Sequence, residues 1–201
     1  MRKLSTDELR RPSAEQYRAM EKLPIVVVLD NVRSQNNIGS IFRTSDAFRI
    51  EHISLCGICS TPPHREIHKT ALGAEDSVAW SYHDNAAECI ASLKASGYIV
   101  YAVEQVDDSL KLNKFNPGNT HSGTSRGIAV IFGNEVEGVS DELLSLCDGS
   151  IEIPQEGTKH SLNVSCAAAI VLWELWKNQT NANTRRPSSD DAHPTNAPDH
   201  D

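Results

Sequence analysis

The chain has 201 residues, with 27 Asp and Glu against 19 Lys and Arg, a formal net charge of −8. That balance excludes a protein that coats nucleic acid by charge alone, and no apolar run reaches the roughly 20 residues a membrane span needs. Five cysteines, an odd number set mostly inside apolar runs, fit a reducing cytoplasm better than a disulfide scaffold.

The charge is uneven. Residues 1–70 hold 11 Lys and Arg against 8 Asp and Glu, and the remainder holds 8 against 19. The basic excess lies in the N-terminal arm and the first loop–helix unit, where a phosphate-bearing ligand could be held; ordinary solvated charge reads the same way. No N-terminal apolar run suggests a signal peptide.

Residues 1–23 read as a helical arm. Ser5-x-x-Glu8 and Ser13-x-x-Gln16 both fit capping boxes, with Pro12 between them. The β-branched run at 25–29 predicts a strand buried on both faces. A polar loop, 30–37, leads into a helix over 38–48. A strand at 52–58, a loop through Pro62-Pro63 and residues 69–74, a helix at 85–96 and a strand at 98–103 follow. Residues 105–126 are polar and read as an irregular, substrate-facing loop.

A strand at 127–132, a short helix at 141–147 and a strand at 150–153 precede the last helix. That helix begins at Ser161 or Asn163, and to Trp176 it is apolar on nearly every face, which predicts burial all round, inside the protein or against a partner subunit. Beyond 178 no large apolar residue occurs, so 178–201 is expected to be a disordered tail. Strand–loop–helix units with apolar strands imply one α/β domain over 24–177 around a parallel sheet flanked by helices. Ligands of such sheets sit beyond the strands' C-terminal ends. Three loops at those ends, 30–39, 133–140 and 154–163, are rich in Asn, Gly, Glu and Ser.

No G-x-G-x-x-G follows a strand and no P-loop motif occurs. Cys56 and Cys59, followed by His64 and His68, superficially suggest zinc, but the gap between the pairs is far shorter than the roughly 12–15 residues of a finger. The two thiols are expected to face opposite sides of the strand end, and no metal is expected.

Asn37-Ile-Gly-Ser-Ile-Phe-Arg43, Phe132-Gly-Asn-Glu135-Val-Glu-Gly138, and Ile153-Pro154 with Ser161-Leu-Asn163-Val-Ser165 resemble, in order and spacing, the three motifs of the SpoU (TrmH) family of RNA ribose methyltransferases. Residues 69–75 add a further resembling segment. The resemblance spans about 25–176 and implies the SPOUT fold, whose C-terminal part forms a deep trefoil knot. It also implies S-adenosyl-L-methionine as cofactor, a homodimer, and an RNA substrate, transfer RNA before ribosomal RNA.

Residue by residue, the resemblance places catalytic roles on Asn37, Arg43, Glu135, Ser161 and Asn163. Cofactor contacts, mostly through backbone, fall on Phe132, Gly133, Asn134, Gly138, Ile153, Gln155, Ser161 and Leu162. Plainer readings stand beside these. Asn37 or Ser161 can simply cap a helix, Arg43 can pair with Asp46, and Glu135 can close its turn. Ser165 reads as packing, and His160 is left outside the catalytic set. RNA specificity is expected from Arg2, Lys3, Arg10, Arg11 and Arg18 of the arm, from the 60–70 and 105–126 loops, and from the tail. The competing functions are a non-catalytic RNA-binding or assembly protein and a methyltransferase acting on a small molecule or protein.

Overall fold

The computed structural model describes residues 1–5, 7–9, 11–116 and 125–184. In the arm both expected capping boxes form. Ser13 accepts from the Gln16 backbone while the Gln16 side chain accepts from Ser13 N at 2.9 Å, opening α1 (Ala14–Ala19). Ser5 and Glu8 make the same reciprocal pair around a 3-10 turn, Asp7–Leu9.

Seven strands form one sheet: β1 (Leu23–Asp30), β2 (Ile50–Cys56), β3 (Trp80–His83), β4 (Tyr98–Val103), β5 (Leu110–Lys111), β6 (Gly127–Phe132) and β7 (Gly149–Glu152). Their order is β3-β2-β1-β6-β4-β7-β5, and every pairing is parallel. The strand at 25–29 therefore sits centrally, which is why no polar residue interrupts it. Its alternate side chains feed opposite layers. Ile25, Val27 and Leu29 join one core with Ile38, Ile41 and Phe42 of α2 (Gln35–Ala47). Val26 and Val28 join a second core with Cys89 and Ile90 of α5 (Ala86–Ala95) and Leu143 of α6 (Asp141–Leu146). Cys56 lies in the second core and Cys59 in the first, on opposite sides as expected.

Three sequence readings are corrected. The stretch 60–80 is not a plain loop: it holds α3 (Arg65–Ala71), α4 (Ala74–Ser77) and the edge strand β3. α3 escapes a periodicity search because only Ile67 and Ala71 are buried. The 105–126 segment is not wholly irregular: it supplies β5 and a 3-10 turn, Leu112–Lys114, and it buries Leu112 and Phe115. Residues 117–124 lie outside the described residues.

The last helix, α7 (Val164–Thr184), starts just after Asn163 and runs past the expected boundary at 177. It is not buried all round within the chain. Ala168, Val171, Leu172 and Leu175 are fully covered, whereas Ile170 is 41% and Trp173 49% exposed. Trp173 stacks on Trp176 at 5.1 Å between ring centroids, and both rings lie within 6 Å of Phe48 at the end of α2. The expected tail beyond 184 lies outside the described residues.

Candidate cofactor cleft and active site

The C-terminal ends of β1, β6, β4 and β7 carry the loops expected to bear function. After β1, Asn31 takes a left-handed turn (φ 54°), and its Oδ1 accepts from Ile58 N at 3.1 Å. Ser34 then caps α2, its Oγ accepting from Asn37 N at 3.3 Å. The helix thus begins earlier than expected, and Asn37 is not its cap. Capping by Ser34 leaves the Asn37 side chain available for longer-range contacts.

Asn37 Nδ2 donates to Glu135 Oε1 at 3.0 Å, and Asn37 Oδ1 accepts from Asn163 Nδ2 at 3.1 Å. Glu135 also accepts from the backbone N–H groups of Arg33 and Ser34, both at 3.2 Å. A carboxylate on the free N–H groups at a helix start is well placed, because these donors and the helix dipole favour negative charge. Partial burial pushes the Glu135 carboxyl up; donors from Arg33, its own backbone, Asn37 and Ser34 outweigh that and hold it below the ordinary value. One side chain from each of three loops is joined in a single hydrogen-bonded chain.

The second loop is a tight turn. Asn134 Oδ1 accepts from Val136 N at 2.8 Å and Glu137 N at 2.7 Å, and Gly138 N donates to Asn134 O at 3.1 Å. Gly138 has φ +68°, and a Cβ on Gly133 would stand 1.9 Å from the Gly138 carbonyl oxygen. Both positions need glycine. In the third loop Asn163 caps α7, its Oδ1 accepting from Ser165 N at 2.9 Å and Cys166 N at 3.4 Å. Ser161 is therefore not the cap, and lies exposed three residues before the helix.

Between the second and third loops opens a cleft of about 500 Å³, within the range of small-molecule sites. All eight residues expected at the cofactor line it: Phe132, Gly133, Asn134, Gly138, Ile153, Gln155, Ser161 and Leu162. Glu135, Asn163 and His160 also line it, and Asn37 reaches its edge through them. Arg43 does not line it. It is exposed on α2, six residues beyond Asn37 and hence about 9 Å farther along the axis. Its alternative partner is engaged elsewhere, since Asp46 Oδ1 accepts from Ser77 Oγ at 2.6 Å.

Among the lining residues missed are Glu104 and Gln105, just past β4, and Glu152 at the end of β7. A charged residue at the end of a central parallel strand was the available signal. Among the described residues no group of three or more His, Cys, Asp or Glu is arranged to hold a metal ion, and no helix is long and apolar enough to cross a membrane.

The carboxylates of the cleft favour a ligand that carries positive charge. The cleft's charged lining is Glu104, Glu135, Glu137 and Glu152, with no Lys or Arg. Side-chain-free backbone at Gly133 and Gly138 allows close approach. The model of the SpoU rRNA Methylase family matches residues 24–173. The chain belongs to the SpoU methylase family.

Among its relatives is a tRNA (guanosine(18)-2′-O)-methyltransferase of Thermus thermophilus, 31% identical over 175 residues, which covers 87% of this chain and 86% of that protein. The solved A. aeolicus TrmH/SpoU tRNA modifying enzyme superposes with a TM-score of 0.72 at 26% identity, covering 87% of both chains. An AdoMet-bound rRNA methyltransferase from Sinorhizobium meliloti superposes with a TM-score of 0.69 at 27% identity, covering 80% of this chain and 59% of that one. The family is one of methylases, as the resemblance implied, and the Sinorhizobium meliloti neighbour is bound to AdoMet, the cofactor that the same resemblance expects. The parallel sheet flanked by helices is likewise the fold of these neighbours.

Proposed function

We propose that the chain transfers a methyl group from S-adenosylmethionine to a ribose 2′-hydroxyl of transfer RNA. The observation that carries this is the Glu135–Asn37–Asn163 chain standing beside a cleft lined by every expected cofactor residue. The RNA class follows the 31%-identical relative, whose name specifies a tRNA guanosine.

The cofactor supplies an electrophilic methyl group on a sulfonium. The protein must align a weak nucleophile with it and let the hydroxyl proton leave. Asn37 and Ser161 fix the ribose, Glu135 sets the 33–37 loop, and Asn163 holds the third loop to the first. Arg43, whose side chain has no hydrogen-bond or ion-pair partner among the described residues, keeps its guanidinium for an RNA phosphate. A guanidinium keeps its proton in a protein, so the phosphate or a water takes the proton from the hydroxyl while Arg43 orients the nucleotide.

The same reading includes a domain over 24–177 with a threaded C-terminus and a homodimer. Supporting the dimer, the α7 face bearing Cys166, Ile170 and Trp173 faces outward. The arm contributes RNA contacts through Lys3 and Arg11. Arg2 is paired with Glu8, and Arg18 donates to the Asp76 carbonyl at 3.1 Å. Arg10 lies outside the described residues.

The test is transfer of labelled methyl to unmodified transfer RNA and, separately, ribosomal RNA, with the product read as an alkali-resistant dinucleotide. Label in transfer RNA ribose is expected. Label only in ribosomal RNA overturns the substrate, and binding of cofactor and RNA without transfer to either favours the non-catalytic reading.

A further inference from the structure

We propose that Glu104 is the fixed counter-charge by which the cleft prefers the methyl donor over its spent product. The inference rests on the methyl-donor reading of the cleft and concerns a residue outside the three motif loops. Donor and product differ at the sulfur: the sulfonium is positive and the thioether left after transfer is neutral. A wall that holds an uncompensated negative charge favours the first over the second.

Four carboxylates line the cleft, and three of them are otherwise committed or exposed. Glu135 is committed to the donors of the 33–37 loop. Glu152 is paired with Lys111 and accepts from Ser109 Oγ. Glu137 is exposed, its nearest partner Asn134 Nδ2 at 3.5 Å.

Glu104 differs from all three. It is half-buried, and it is fixed at both ends of the residue. Its N–H donates to the Ile151 carbonyl at 3.1 Å, and its own carbonyl accepts from Ser150 Oγ at 2.9 Å. Its Oε2 accepts from Val139 N at 3.0 Å and its Oε1 from Gln105 N at 2.9 Å. Those partners are neutral amides, and no cation pairs with the carboxylate among the described residues. The charge is therefore held in place without being cancelled, and lone-pair sites remain for a ligand.

The surroundings keep it aimed. A Cβ at Gly138 would come within 2.2 Å of Glu104 Oε2, so the glycine makes room for the carboxylate. The neighbouring Gln105 Nε2 donates to the His160 carbonyl at 3.1 Å and holds the third loop against the same strand end. Glu104 thus grips one cofactor loop while Gln105 grips the other.

The experiment is calorimetric titration of the full chain with S-adenosylmethionine and, separately, with S-adenosylhomocysteine, for wild type and Glu104→Gln. The amide keeps the acceptor for Val139 N and removes the charge. Expected is a wild-type preference for the donor of about tenfold that Glu104→Gln lowers to within about twofold, through lost donor affinity alone. Equal weakening of both ligands, or no change in either, overturns the proposal, because a mere loop clamp would not tell them apart. Should Glu104→Gln fail to fold, the wild type decides: its donor preference falls between about 0.01 and 1 M salt if charge carries it, and an unchanged ratio overturns the proposal. A wild type that binds neither ligand is a different result, which removes the methyl-donor reading and this proposal with it.

Discussion

Asn163 Nδ2 donates to Asn37 Oδ1 at 3.1 Å, across 126 positions of sequence. The same Asn37 side chain donates to Glu135, so its two ends bind opposite kinds of partner. The side-chain amide supplies a donor and an acceptor at once. Asn37→Asp sets a second carboxylate against Glu135, and the expected cost is about 1–3 kcal/mol of stability with weakened cofactor binding. Urea unfolding and a cofactor titration measure the two effects. Adding Glu135→Gln to Asn37→Asp restores part of the loss if the contact is the cause, and simple additivity of the two substitutions would show that it is not.

Arg43→Ala separates binding from chemistry. The side chain lies outside the cofactor cleft, so cofactor affinity stays within about twofold, while methyl transfer falls by about 10²–10⁴-fold, the usual worth of help with proton transfer and orientation. Single-turnover transfer to RNA is the measurement. Near wild-type rates would remove Arg43 from the mechanism.

Gly39→Ala tests the packing that places Asn37. In an ordinary helix alanine is favoured over glycine by up to about 1 kcal/mol. Here the new Cβ would stand 2.2 Å from Thr70 Oγ1 and 2.3 Å from the Ile67 carbonyl oxygen. A backbone carbonyl of α3 cannot swing aside, so overpacking at about 1–3 kcal/mol wins and the variant is less stable. A lowered urea midpoint checks the sign.

Asp30 gives a pH prediction. Burial raises its carboxyl pKa, and the hydrogen bond from Asn31 Nδ2 at 2.8 Å offsets that only in part. The folded chain then holds this proton more tightly than the unfolded chain. Stability from this group is present at acid pH and is lost as pH rises through the raised folded value. Asp30→Asn is therefore expected to raise the melting temperature at pH 8 and to do so progressively less as pH falls from the raised folded value to the ordinary carboxylate value. A constant difference across that range would mean that charge is not the cause.

The legible parts of the fold were those where a local pattern and the tertiary environment agree. The run 25–29 announced a central strand because both of its faces are covered. β3 gave no such signal: Trp80, Ser81, Tyr82 and His83 alternate on an edge strand, and none of them is fully buried. At the site, the glycines and asparagines of the three loops were readable as chemistry. The bond from Asn37 to Asn163 was not, since it depends on Ser34 taking the cap. Glu104 and Gln105 resemble any charged strand end until the sheet sets β4 between β6 and β7.

A side chain on Gly133 would run into the Gly138 carbonyl, and one on Gly138 would run into the Glu104 carboxylate. A change at one of the three positions is thus answerable to the other two. Variation reaches this turn by replacing those positions together, a constraint on anyone who would redesign its choice of ligand.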